Sequence, residues 1–315
     1  MIILMKNFSY TKTPELNLEL AKIEDLRKDL LLRPISPKTE LNLQWQSLVK
    51  FIHFSLAITG SIIPEDHIQK LLSPEGKKQM STKEKEVIAY KKGLDHLYHN
   101  WLVNEEQVNA KSIVTLYQMV FAGSLKISES EINNALSYIQ INPEHPFIQA
   151  ALGQLIILDL YPFSQNNELF SHLVFLMFLY KNGYDFRRMV VIEELLFKDL
   201  AHFKNLVAKM RRQANVTEWL EYMILHFVTQ LTNVIKTVVI EKQSPSLLPY
   251  HLQLNDRQQQ IIDFLSQPDT KMSNATVQKM FKVSQITASR DLAKLTSLGL
   301  LFPLGKGRST YYTKV

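Results

Sequence analysis

The side chains of this 315-residue chain that could do chemistry fall in two stretches. The first is Tyr161-Pro162-Phe163-Ser164-Gln165-Asn166-Asn167-Glu168-Leu169, a polar loop between two apolar runs. Tyr161 makes a poor general base, because a phenol with a pKa near 10 keeps its proton at neutral pH. The second stretch is basic. Tyr250 to Val315 holds nine Lys/Arg and four Asp/Glu, so five of the six net positive charges lie there. That balance points to an anionic partner, nucleic acid first, or else to a solubilising surface. Metal chemistry finds little support. His96 and His99 share a helix face, with Asp95 beside them, but two imidazoles do not make a site, and no metal is expected. The absence of Cys removes thiol nucleophiles and Cys-ligated zinc.

The elements that position these groups read as helices almost throughout. Helix starts recur at Ser36-Pro37, Ser81-x-x-Glu84, Ser128-x-x-Glu131 and Asn215-x-x-Glu218. Asn182-Gly183 marks a stop. The spacing predicts helices near 14–31, 37–57, 65–72, 82–102, 111–122, 129–139, 145–159, 167–181, 189–208 and 216–241. His145-Pro146 reads as a helix start, Phe175, Phe178 and Tyr180 as core, and Arg187-Arg188 and Arg211-Arg212 as solvated helix ends. Gln243-Ser-Pro-Ser-Leu-Leu-Pro249 reads as a linker, where the charge balance also changes. The longest uncharged runs have 14 residues, short of the roughly 18–20 that a membrane span needs. Met1–Lys6 lacks the apolar core of a signal peptide. A cytoplasmic protein with no membrane partner is expected.

Beyond the linker, three helices are expected near 255–266, 273–281 and 284–295. Two strand-like runs, Leu300–Leu304 and Ser309–Thr313, follow around the basic tip Gly305-Lys306-Gly307-Arg308. Ala288, Leu292 and Leu295 recur at helical spacing and should face inward, leaving Gln285, Ser289, Arg290 and Lys294 outward or on the flanks. Ser284, Thr287, Arg290, Asp291, Leu292 and Leu295 match a Ser-x-x-Thr-x-x-Arg-Asp-Leu-x-x-Leu signature, so the segment resembles a family of bacterial winged helices. The resemblance implies a third helix in the major groove and a wing on the backbone. Ser284, Gln285, Thr287, Ser289, Arg290, Lys294, Lys306 and Arg308 are the candidate DNA contacts.

Upstream, Pro146–Tyr161, then Pro162-Phe163, then the apolar helix to Tyr180, together with Glu86–Leu94 and Trp219-Leu-Glu-Tyr222, resemble the Fic family of AMP-transferring enzymes. The likeness covers most of residues 40–240. It implies an active loop of the form His-Pro-Phe-x-Asp/Glu-Gly-Asn-Gly-Arg. There the His is a general base and the acid holds Mg²⁺. The Gly-Asn-Gly amides cradle phosphates and the Arg pairs with them. Aligned on Pro162-Phe163, this chain has Tyr161 for the His and Gln165 for the acid. Asn166 and Glu168 replace the glycines, Leu169 replaces the Arg, and Asn167 is retained. His172 replaces a second Arg. Losing a positioned base alone costs about 10²–10⁴-fold in rate.

The family's inhibitory helix, Ser/Thr-x-x-x-Glu-Gly/Asn, corresponds to Ser55-Leu-Ala-Ile-Thr59-Gly60, where Thr59 replaces the Glu. The alternative reading is that Ser55–Gly60 is a plain helix end, with Gly60 as its cap. The target-aligning flap shrinks to Ala122–Ile127, expected to be little more than a turn.

The expected architecture is mainly α. It has an N-terminal helical extension over 1–39, a Fic-like domain over 40–242 with its core near 107–210, a linker over 243–253 and a winged helix-turn-helix over 254–315. The expected function is that of a catalytically silent regulatory or scaffold protein that binds DNA, with a homodimer or a protein partner also open and no cofactor. Two alternatives stand beside it. One is a divergent nucleotide-binding or AMP-transferring enzyme that uses ATP and Mg²⁺. The other is an inert interaction module.

Overall fold

A computed structural model of the chain describes residues 8–72, 80–141, 144–243, 254–265, 270–297, 300–305 and 310–314. The chain divides into two compact units, Met1–Ser246 and Leu247–Val315. Each has its own hydrophobic core.

The large unit is helical: α1 (Pro14–Leu32), α2 (Pro37–Ile58), α3 (Glu65–Leu72), α4 (Thr82–Trp101), α5 (Ala110–Val120), α6 (Glu129–Ile141), α7 (Pro146–Leu160), α8 (Asn167–Lys181), α9 (Glu193–Lys198), α10 (Leu200–Met210) and α11 (Thr217–Gln243). Local chemistry sets most of the starts. Ser36 caps α2 ahead of a proline at the first helical position. Ser81 and Glu84 form a capping box on α4, and Ser128 and Glu131 exchange the same two bonds at α6. His145 caps α7 by accepting the Phe147 N–H at 3.1 Å. Helices α7 and α8 are apolar on nearly every face, so both are buried at the centre of the unit. Helices α2 and α4 lie against α8, while α6, α10 and α11 lie against α7. The two central helices approach closely where Gly153 lies under the Phe178 ring; a Cβ there would come within 2.6 Å of it.

The single helix expected over 189–208 starts only at Glu193 and is divided at Asp199, and a separate turn stands ahead of it. Phe186, Arg187 and Arg188 form one left-handed turn, with φ of 46°, 52° and 58°. Left-handed geometry costs an L-residue about 1–2 kcal/mol, and tertiary partners hold the turn in place. Phe186 is buried. Arg187 pairs with Glu40 and donates to the carbonyls of Leu31 and Arg33. Arg188 donates to Gln44 and lies over the Tyr98 ring. This arginine pair is therefore an internal brace and not a solvated helix end. At α11 the expected capping box is replaced as well. Asn215 accepts the Thr217 N–H, while Glu218 pairs with Lys209.

The small unit contains α12 (Asp256–Leu265), β1 (Met272–Ser273), α13 (Asn274–Phe281), α14 (Gln285–Ser297), β2 (Leu301–Leu304) and β3 (Tyr311–Lys314). The strands form an antiparallel sheet in the order β1-β3-β2, with Leu301 opposite Lys314 and Met272 opposite Tyr312. The hairpin β2–β3 follows the sequence reading, whereas β1 is an addition. Ile261, Val277, Ala288, Leu292, Leu295 and Leu301 fill the core. No helix among the described residues is long and apolar enough to cross a membrane.

Candidate functional site

The loop between α7 and α8 leaves α7 through Tyr161 and enters α8 through Asn166, both left-handed (φ 47° and 57°). Between them an aromatic stack fixes the chain. The Phe163 ring lies flat on Tyr117, with centroids 3.6 Å apart, and Phe170 meets both edge-on. The buried Asn167 amide clasps the backbone of Phe163. Its Oδ1 accepts the Phe163 N–H at 2.9 Å and its Nδ2 donates to the Phe163 carbonyl at 2.8 Å.

The segment 122–127 is more than a turn, because it pairs with this loop. Lys126 N–H donates to the Pro162 carbonyl at 2.8 Å and Ser164 N–H to the Ser124 carbonyl at 2.9 Å, forming a bridge between Leu125 and Phe163. The Gln165 side chain donates to the Ala122 carbonyl, and the Gln165 carbonyl accepts the Tyr117 hydroxyl.

The exposed end of the loop closes on itself. Tyr161 donates its hydroxyl to the Glu168 carboxylate at 2.6 Å. Arg211 lies 4.1 Å over the Tyr161 ring while donating twice to the Leu158 carbonyl at the end of α7. Arg211, expected at a solvated helix end, is thus part of the loop's surroundings. Its role was hidden because its partners lie some 50 residues upstream. Burial, the Glu168 hydrogen bond and the Glu168 charge push the Tyr161 hydroxyl up to about 12, against the lowering effect of Arg211.

Leu169 is buried, and its carbonyl accepts the Tyr90 hydroxyl at 3.1 Å. Beneath it His172 is buried between Gln154 and Glu193, with Nδ1 3.2 Å from the Glu193 carboxylate. Ser55 is buried in α2. Thr59 and Gly60 end that helix: Gly60 takes φ 91°, and the Gly60 and Ser61 N–H groups return to the carbonyls of Ala57 and Leu56. No group of three His, Cys, Asp or Glu that could hold a metal occurs among the described residues. Asp95 is paired with Lys91, and His96 with Asn100.

In the small unit, α14 presents the face expected of it. Ala288, Leu292 and Leu295 are buried, while Ser284, Gln285, Ser289 and Arg290 are exposed and Thr287 and Lys294 are half-buried. Ser284 caps the helix through the Thr287 N–H, and the two hydroxyls lie 3.0 Å apart. Asn274, at the start of α13, donates to Ser289 Oγ at 2.8 Å and to the Gln285 carbonyl at 3.3 Å. Asn274 was missing from the sequence reading because only the packing of α13 on α14 brings it there. Asp291 turns inward to Arg257 and Gln258. Burial acts to raise its carboxyl, but those hydrogen bonds outweigh the burial and hold it below the usual carboxylate range. Lys306 and Arg308 lie outside the described residues.

Comparison with known proteins follows the same division. The profile of the DeoR-like helix-turn-helix domain matches residues 257–304. No protein of curated function matches the sequence. Among solved structures, the chain is similar to a Fic family protein from Desulfovibrio desulfuricans G20 (13% identity, 98% of each chain, TM-score 0.62). It is also similar to Fic-1 from C. elegans (14% identity, 70% of this chain and 72% of that one, TM-score 0.58). A Fic domain containing signaling protein from Bacteroides thetaiotaomicron VPI-5482 is a third (16% identity, 73% of this chain and 98% of that one, TM-score 0.52). The chain thus has the fold of Fic family proteins, with a DeoR-like helix-turn-helix domain toward its C-terminus.

Proposed function

We propose that the protein binds duplex DNA through α14 and the β2–β3 wing, and that its Fic-like unit does not transfer nucleotides. The observation that carries the first half is the charge arrangement on the small unit. From Asn274 to Ser297 the chain holds Lys279, Lys282, Arg290 and Lys294 against one acid, Asp291. That acid is turned inward onto Arg257, so the outer face is cationic and polar. Such a face suits phosphates and base edges. The test is a titration of labelled duplex DNA with the whole protein over a range of salt. Binding should weaken linearly in log–log form, as counterion release requires. Arg290→Glu and the pair Lys306→Glu, Arg308→Glu should weaken it further. If no duplex binds at low salt, the reading is wrong.

The second half rests on the engagement of the loop's own side chains. ATP with Mg²⁺ does not fit them. Asn167 is clasped to Phe163 and the Gln165 amide to Ala122. Glu168 places a carboxylate where phosphates would lie, and Leu169 is core. Tyr161, with its proton held up to about 12, is no base at neutral pH. The edge of 124–126, which would align a target segment, is occupied by the loop itself. Calorimetry with a nucleotide panel and Mg²⁺ should give no binding heat; saturable heat abolished by Asn167→Ala would favour a divergent enzyme.

A further inference from the structure

One side chain on the outer face of α14 does not fit a purely polar, cationic surface. Ile286 is 66% exposed, between Gln285 and the half-buried Thr287, on a helix whose Ala288, Leu292 and Leu295 face the core. It stands in the first turn, the part of a third helix that enters the major groove. Three residues on, and so on the same helix face, is Ser289. Its oxygen accepts a hydrogen bond from Asn274, which leaves its own O–H to donate. The Asn274 amide is held in turn by Gln278, so the Ser289 hydroxyl is braced. The pair therefore offers an apolar branched tip and, one helical turn along, a hydrogen-bond donor. In the major groove one base presents the matching neighbours: thymine carries its C5-methyl beside the O4 acceptor, whereas cytosine presents an N4 donor and no methyl.

Resting on the DNA-binding reading above, we propose that Ile286, with Ser289, reads a thymine in the major groove, Ile286 packing on the C5-methyl and Ser289 donating toward O4. The occupant is duplex DNA because the surrounding charge is complementary to it. Arg290 is exposed four residues on, and Lys279 on the neighbouring helix and Lys282 just past its end are exposed too. Asp291, which would repel phosphates, is turned inward to Arg257.

The test uses the whole protein and duplexes it selects from a random-sequence pool. Each thymine of a selected site is then replaced by deoxyuridine, which deletes only the methyl. At one position of the site, uracil should weaken binding about fourfold, the worth of one buried methyl group. Ile286→Ala should bind thymine and uracil duplexes equally there, while Ile286→Val should keep part of the preference. The side chain is exposed, so both variants should melt like the parent. Equal binding of thymine and uracil at every position, or a preference that survives in Ile286→Ala, would overturn the inference while leaving DNA binding intact. A change in self-association in Ile286→Ala without loss of thymine preference would also overturn it and mark the side chain as a protein contact. Failure to select any duplex would remove the DNA-binding reading itself, and this inference with it.

Discussion

Both polar atoms of the Asn167 side chain are engaged with the Phe163 backbone in the interior of the large unit. Their removal leaves a buried N–H and a buried C=O without partners. Asn167→Ala should therefore lower stability by about 1–3 kcal/mol in urea denaturation. A reading that gave this residue to a nucleotide would expect lost affinity with little lost stability. Tyr161 provides a second check at the same scale. An unfolded tyrosine ionises near pH 10, whereas the folded Tyr161 keeps its proton up to about 12. Its contribution is complete below the unfolded value and is lost as pH rises through the folded one. Urea midpoints should thus fall more steeply over that alkaline window in the parent than in Tyr161→Phe.

Between elements, the close approach of α7 and α8 depends on Gly153. The Phe178 ring opposite it is fully buried and has nowhere to move. Gly153→Ala should cost about 1–3 kcal/mol through overpacking, despite the better helix propensity of alanine. In the small unit, Asp291 joins α12 to α14 through Arg257 and Gln258. Asp291→Ala should destabilise that unit by about 1–3 kcal/mol, mainly by leaving the buried Gln258 amide unpaired. Because the folded carboxyl lies below its ordinary range, its contribution is present above the unfolded value near 3.9 and is lost as pH falls through the folded one.

Elements whose cause is local were legible in the sequence. The caps at Ser36, Ser81 and Ser128 and the 3–4 spacing of Ala288, Leu292 and Leu295 needed no tertiary information. The left-handed turn at 186–188 was not legible, because its residues are held by partners on α1, α2 and α4. Two residues of β1 carry no periodic signal. In the loop, residue types could be compared with a motif, but the engagement of Gln165 with Ala122 and of Tyr161 with Arg211 arises only when distant segments meet.

Across the whole molecule, a nearly neutral helical unit with the Fic fold is joined in one chain to a small unit with a cationic outer face. The net charge of +6 sits mostly in the second. That asymmetry is why the central claim concerns DNA rather than the 161–169 loop. The measurement that tests it most directly is the affinity of the whole protein for duplex DNA as a function of salt. The account predicts binding at low salt that weakens linearly in log–log form and is reduced by Arg290→Glu. Absence of duplex binding at low salt, or binding indifferent to both salt and Arg290→Glu, would contradict it.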